Sequence, residues 1–204
     1  MHLHADDATA RRLEGEPNGK TEAWHVLDAV PGATALVGVR PGVDRERLRR
    51  ALLAQDFDAV MRRLPVRAGQ TVYVPGGTLH SFGPGTLVYE TCPGGWRTAR
   101  RWPSGSGRRT SSGCWTSGDR PGRSSIHGLS VRVDDSVVRT VLCAGPCFAL
   151  ERWTAGGNGP LTRTFATAQI LSNAGAPVTV TCGGWTGRLG RARTLCRPRS
   201  ARCG

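Results

Sequence analysis

Prolyl-glycyl breaks at Pro31-Gly32, Pro41-Gly42 and Pro75-Gly76-Gly77 cut the first ninety residues into short apolar runs. Proline presets φ and glycine admits positive φ, so each break reads as a turn. Between the breaks, Thr21–Val30, Ala33–Val39, Thr71–Val74, Thr78–Phe82 and Leu87–Glu90 have the length and residue types of strands. In Thr21–Val30, Glu22, Trp24 and Val26 share one face, and Ala23 and Leu27 the other. Arg11–Asn18 reads as a loop or single helical turn. One helix is expected: Asp44 can cap it, Leu48, Leu52, Ala59 or Val60, and Leu64 recur at near-helical spacing, and Pro65 ends it. With 28 glycines, 13 prolines and 38 % hydrophobic residues, many short strands are expected rather than a helical bundle.

Beyond Cys92 the patterning changes. Pro93–Ser125 is rich in Gly, Ser, Arg and Trp and has no apolar period, so it is expected to be irregular. Strand-like runs return at Leu129–Val133, Ser136–Leu142, Phe148–Trp153, Thr162–Ala166, Gln169–Ser172 and Pro177–Cys182. After Trp185 an Arg-rich tail without strands is expected. The expected partition is a core at 1–91, an irregular segment at 92–127, a β unit at 128–185 and a basic tail at 186–204.

The formal charge of +13 suggests a polyanion partner, but its placement argues otherwise. Residues 1–91 hold eleven basic and eleven acidic side chains, whereas 92–204 hold seventeen arginines and four acids. The excess concentrates in 93–125 and 186–204, each at net +6. Both segments share a bias to Arg, Gly, Ser, Pro and Trp without lysine. They are therefore expected to be out-of-frame readings of a GC-rich gene, which resequencing would decide. No apolar run reaches the ~18 residues of a membrane helix, and no basic-then-apolar leader opens the chain. A cytoplasmic protein is expected, with its seven cysteines as reduced thiols rather than a disulfide framework.

The chemistry concentrates in two stretches, His2–Trp24 and Val72–His80. In an extended segment His2 and His4 point to the same side, about 7 Å apart along the strand. Two imidazoles so placed can reach one ion if Glu22 and His80 arrive from neighbouring strands. Taken one at a time, each has an ordinary reading: a polar terminus for His2 and His4, an exposed strand carboxylate for Glu22, a loop histidine for His80. Lys20, the only lysine, could be a solvated loop residue. His25 falls on the face opposite Glu22 and reads as structural, Trp24 as core, and His127 has no evident partner.

GKTEAWHVL (Gly19–Leu27) followed by VPGGTLHSFGPGTLVYE (Val74–Glu90) resembles the type I phosphomannose isomerases, and His4-Ala-Asp-Asp is similar to that family's HPDD segment. FALERW and ILSNAGAPVTVTCGG extend the likeness weakly through 128–185. The resemblance implies an all-β fold, a cupin-type double-stranded β-helix with one inserted helix and a partial second β unit. It implies truncation at the N-terminus and disruption after about residue 91. It also implies interconversion of mannose 6-phosphate and fructose 6-phosphate with a divalent metal, most readily Zn²⁺. The implied ligands are His4, Glu22 and His80. The family's glutamine two residues before the first histidine is here His2, which can still ligate. Lys20 takes the family lysine's place in substrate binding or proton transfer. The family's next segment carries an active-site arginine, and Pro93–Ser125 shows no counterpart.

Two other functions compete. The His-x-His, Glu, His set is similar to that of cupin oxidases, so a non-catalytic or oxidase-type metal cupin is the alternative. A nucleic-acid binder could use Trp96, Trp102 and Trp115 as stacking platforms among arginines, but the neutral first half carries the coherent motifs. The expected partner is a small phosphorylated sugar, with no nucleic acid and no membrane.

Overall fold

The computed structural model describes residues 1–92, 129–145, 148–157, 161–163, 169–182 and 184–197. It has two compact units, Met1–Gly157 and Asn158–Gly204, whereas the partition expected from sequence followed composition. The first unit opens with strand β1 (His2–Leu3), helix α1 (Asp7–Glu14), β2 (Glu22–Ala29), β3 (Thr34–Val39), helix α2 (Arg45–Ala54), β4 (Met61–Pro65), β5 (Thr71–Val74), β6 (Leu79–Phe82) and β7 (Thr86–Thr91). These strands form two antiparallel sheets, ordered β1-β6-β3-β4 and β5-β2-β7. Trp24, Val26, Val72 and Val74 of one sheet and Ala35 and Val37 of the other share a core cluster with Ala33 and Val66. This is the all-β, cupin-type architecture expected from the sequence.

Among the described residues there are two helices instead of one. The first was missed because Asp6 and Asp7 look like part of a ligand motif. Asp6 is the N-cap, its Oδ1 accepting from Thr9 N at 2.7 Å, an arrangement that satisfies an otherwise orphaned donor. Gly15, at φ 69°, closes the helix in the left-handed region. The expected helix from 44 to 64 stops ten residues early. Asp44 does cap it, but Gln55 turns left-handed at φ 57° and donates to Leu52 O. Val60 and Met61 are then fully buried, and Met61–Pro65 runs as a strand paired with β3. The helical spacing of Ala59, Val60 and Leu64 was a strand's apolar content misread across a turn.

β2 lies between β5 and β7, and all five residues from Glu22 to Val26 are buried. Its outer face is covered as well as its inner one. On that side His25 Nδ1 lies 3.0 Å from Thr71 Oγ1. Tyr73 of β5 meets Phe148, with ring centroids 6.3 Å apart.

The unit continues with β8 (Leu129–Asp134), β9 (Val137–Ala144) and β10 (Ala149–Ala155), an antiparallel meander ordered β10-β9-β8. Across β9 and β10, Arg139 Nε donates to Glu151 Oε2 at 3.0 Å, its Nη2 reaches Oε1, and Trp153 Nε1 also donates to Oε2. The Arg139 hydrogen bond holds the Glu151 carboxyl below the ordinary range, against an opposing effect of burial. A depressed folded pKa contributes stability above the unfolded value that is lost as pH falls through the folded one. The stability gap between the chain and E151Q, followed by thermal unfolding, is therefore expected to be widest near neutrality. It should close from about pH 4 downward.

Among its described residues the second unit contains two two-stranded sheets. β11 (Gln169–Ser172) pairs with β14 (Thr194–Arg197), and β12 (Val178–Cys182) with β13 (Trp185–Leu189). Asn173 ties its turns, donating from Nδ2 to Ala176 O and Leu189 O and accepting from Gly175 N. β13 and β14 correct the expectation of a strandless tail at 186–204, because β-pairing needs backbone register rather than an apolar composition. Pro93–Ser125, with Trp96, Trp102 and Trp115, and His127 and Thr164–Ala166 lie outside the described residues. No helix among the described residues is long and apolar enough to cross a membrane.

Candidate metal centre

The leading segment is pinned by backbone rather than by side chains. β1 pairs antiparallel with β6, in register His2↔His80 and Leu3↔Leu79. Just beyond it, Gly77 N donates to His4 O at 2.7 Å and Lys20 N to Ala5 O at 2.9 Å. Gly19 and Gly76 lie against this segment from two sides. A Cβ on Gly19 would stand 2.3 Å from Ala5 O and 2.5 Å from Asp6 C, and one on Gly76 would stand 2.6 Å from Ala5 O. Only glycine admits a backbone approach that close. Asp7 Oδ1 completes the clamp by accepting from Gly19 N at 2.8 Å.

So held, His2 and His4 meet His80. Their ring nitrogens offer ligand atoms that all lie within 4.8 Å of one another. Ring centroids are 5.9 Å apart for His2–His4, 5.8 Å for His2–His80 and 5.3 Å for His4–His80. The opposite sheet contributes Glu22, 2 % exposed, with Oε1 3.0 Å from His4 Nε2 and Oε2 3.4 Å from His80 Nε2. All four candidate ligands named from the sequence thus converge.

Protonation explains why these contacts are not simple ion pairs. His80 is buried, and desolvation lowers its pKa although the Thr78 carbonyl and Glu22 pull the other way. Its Nδ1 lies 2.7 Å from Thr78 O and donates to it, which leaves a lone pair on Nε2. That nitrogen has no hydrogen-bond partner and faces the Glu22 carboxylate. His4 is likewise held below its ordinary value, by burial first and then by Lys20. Two acceptors facing each other across 3.4 Å in a buried site are stabilised by a proton or a metal cation between them. The donor set therefore suits a divalent ion. The three imidazoles already lie within 4.8 Å of one another, so side-chain adjustment rather than backbone movement brings them to one ion with bonds of about 2.1 Å.

In the structure Lys20 partly fills this role. Its Nζ lies 2.6 Å from Glu22 Oε1 and 3.3 Å from His4 Nε2. Burial would lower the Lys20 pKa, but the hydrogen bond and charge of Glu22 outweigh it and raise it. Burial works against the Glu22 charge too, yet hydrogen bonds from Lys20 and Trp24 keep its carboxyl below the usual range. Trp24 thus has a second role beyond the core: its indole N–H donates to Glu22 Oε2 at 3.1 Å, and its ring stands 5.2 Å from that of His80.

A cavity of about 120 Å³ opens beside the cluster, lined by His2, Glu22, His80, Ser81, Phe82 and Glu90. Glu90 was not singled out from sequence. It reaches the cavity through the register Trp24↔Glu90 between β2 and β7, which sequence spacing cannot reveal. Its carboxyl is raised by burial and by the neighbouring Glu22 charge, while Lys20, 4.0 Å away, opposes the rise. No arginine lines the cavity among the described residues.

Comparison with known proteins gives a consistent picture. No family model matches the chain. It is 31 % identical over 173 residues to a mannose-6-phosphate isomerase of Streptococcus mutans, covering 80 % of this chain and 53 % of that protein. It is 33 % identical over 91 residues to the mannose-6-phosphate isomerase ManA of Bacillus subtilis, covering 45 % of this chain and 29 % of the relative. The crystal structure of a Bacillus subtilis mannose 6-phosphate isomerase superposes with a TM-score of 0.75 at 22 % identity, over 97 % of this chain and 64 % of that one. The chain resembles these isomerases in sequence, shares their fold, and spans about half the length of the Streptococcus relative.

Proposed function

We propose, taking the likeness to mannose-6-phosphate isomerases as the premise, that this chain is a metal-dependent aldose–ketose isomerase interconverting mannose 6-phosphate and fructose 6-phosphate. The observation that carries the reading is the unpartnered His80 Nε2 aimed at Glu22 in a cluster of three imidazoles and a carboxylate. His2, His4, Glu22 and His80 would hold the ion, with Zn²⁺ the best fit to three nitrogens and one oxygen. A bound divalent cation supplies Lewis-acid stabilisation of negative charge developing on the sugar oxygens.

The other groups divide the remaining work. Thr78 O and Trp24 Nε1 orient His80 and Glu22 and thereby fix which atoms face the ion. Isomerisation moves a proton between adjacent carbons, and Glu90 is placed to carry it. A carboxyl at the cavity wall whose proton affinity is raised by burial and by the Glu22 charge is suited to accept and return a proton. Lys20, beside Glu22 and 38 % exposed, would be the cation available to a substrate oxygen or phosphate. The cavity is smaller than the ~300 Å³ of a typical ligand cleft, so it accommodates the reacting atoms rather than the whole sugar phosphate. Cys92, Cys143 and Cys182 are free thiols, which accords with a cytoplasmic location. No nucleic-acid partner enters this reading.

The test is a coupled assay on the purified chain with mannose 6-phosphate, with and without added Zn²⁺ or Mn²⁺. Turnover that appears with metal and disappears with chelator is expected. Stoichiometric metal without turnover would favour the non-catalytic cupin instead.

A further inference from the structure

We propose that His2 supplies a third ring nitrogen to the ion, and that this nitrogen tilts the centre towards cobalt and nickel over manganese. The inference rests on the metal centre of the preceding reading and adds the identity of the ion it selects. β1 sets the geometry. Leu3 points away and is 41 % exposed, so His2 and His4 present their rings to the same side, where each lies within 6 Å of the His80 ring. The register partner of His2 is His80 itself, so the pairing that holds the segment also holds the two rings together.

His2 differs from the other donors in two respects. It is exposed where Glu22 and His80 are buried, and it lines the cavity that His4 does not. It is therefore the exposed donor at the cavity, beside the buried Glu22 and His80 that line it too. Its contribution is chemical. Imidazole nitrogen binds late first-row ions far better than it binds manganese, which prefers oxygen donors. A centre with three imidazoles and one carboxylate should therefore separate Co²⁺ from Mn²⁺ more widely than one in which an amide oxygen replaces the first nitrogen. His2→Gln makes that exchange at a site whose exposure keeps the fold out of the comparison.

The experiment titrates the full chain and H2Q with Co²⁺ and with Mn²⁺ in competition, then counts imidazoles around bound Co²⁺ by X-ray absorption. The expected result is three imidazoles in the chain and two in H2Q. The Co²⁺-over-Mn²⁺ preference should fall about tenfold or more, on the scale at which a metal site responds to losing one supporting group. An unchanged count and preference in H2Q would overturn the assignment of His2 while leaving the metal centre intact. Absence of stoichiometric Co²⁺ binding to the full chain would overturn both.

Discussion

His80→Ala is expected to abolish stoichiometric Zn²⁺ retention and to lower isomerase turnover more than 100-fold, beyond the 10–100-fold that loss of a merely supporting group costs. Three features combine in this residue. It is 3 % exposed, its Nδ1 is committed to the Thr78 carbonyl, and its Nε2 faces the Glu22 carboxylate without a hydrogen-bond partner. Truncation removes a donor and leaves the Thr78 acceptor without its partner, so some stability is lost as well, about 1–3 kcal/mol. Bound metal measured by atomic emission, alongside circular dichroism of the same sample, separates the two effects. A folded H80A protein that retains one Zn²⁺ per chain would rule out His80 as a ligand.

The second large effect comes from residues that carry no functional group. Alanine at Gly19 or Gly76 would place a methyl under 3.0 Å from the Ala5–Asp6 backbone, where no flexible side chain can yield. Each substitution is expected to cost about 2–3 kcal/mol and to weaken metal affinity at least tenfold. Relief of the clash pushes the backbone after His4 outward and strains the Lys20 N–Ala5 O and Gly77 N–His4 O bonds. Gly175→Ala, whose added methyl would meet only Asn173 Oδ1 at an ordinary 3.8 Å, serves as the control. Denaturant unfolding and metal titration check the pair. Wild-type affinity in G76A would mean that His4 is not held by this clamp.

Much of this centre could be read before any coordinates. The alternation of His2 and His4 is a property of extended backbone, and Glu22 and His80 sit in short strands bounded by clear turns. What stayed hidden depends on register and on competition between local signals. Glu90 enters the cavity because β7 pairs with β2 with one irregular step between Val26 and Asp28. Asp6 has the chemistry of a ligand and of a helix cap alike, and its bond to Thr9 N shows which role it takes here. The end of α2 turned on Gln55 adopting positive φ, a conformation that glycine usually announces and glutamine does not. In 186–204 the arginine content masked two strands, β13 and β14, whose partners β12 and β11 lie upstream.

β1 is two residues long, whereas β2 is buried on both faces. Hydrogen exchange across the site should therefore be uneven, fast at the leading segment and close to the global limit around Glu22. Two of the four donors sit on the part that opens most readily and the acid on the part that opens last. An ion can then leave through brief excursions of the β1 segment while β2 stays paired with β5 and β7, and its residence time reports the opening of a few backbone bonds rather than the unfolding of the protein.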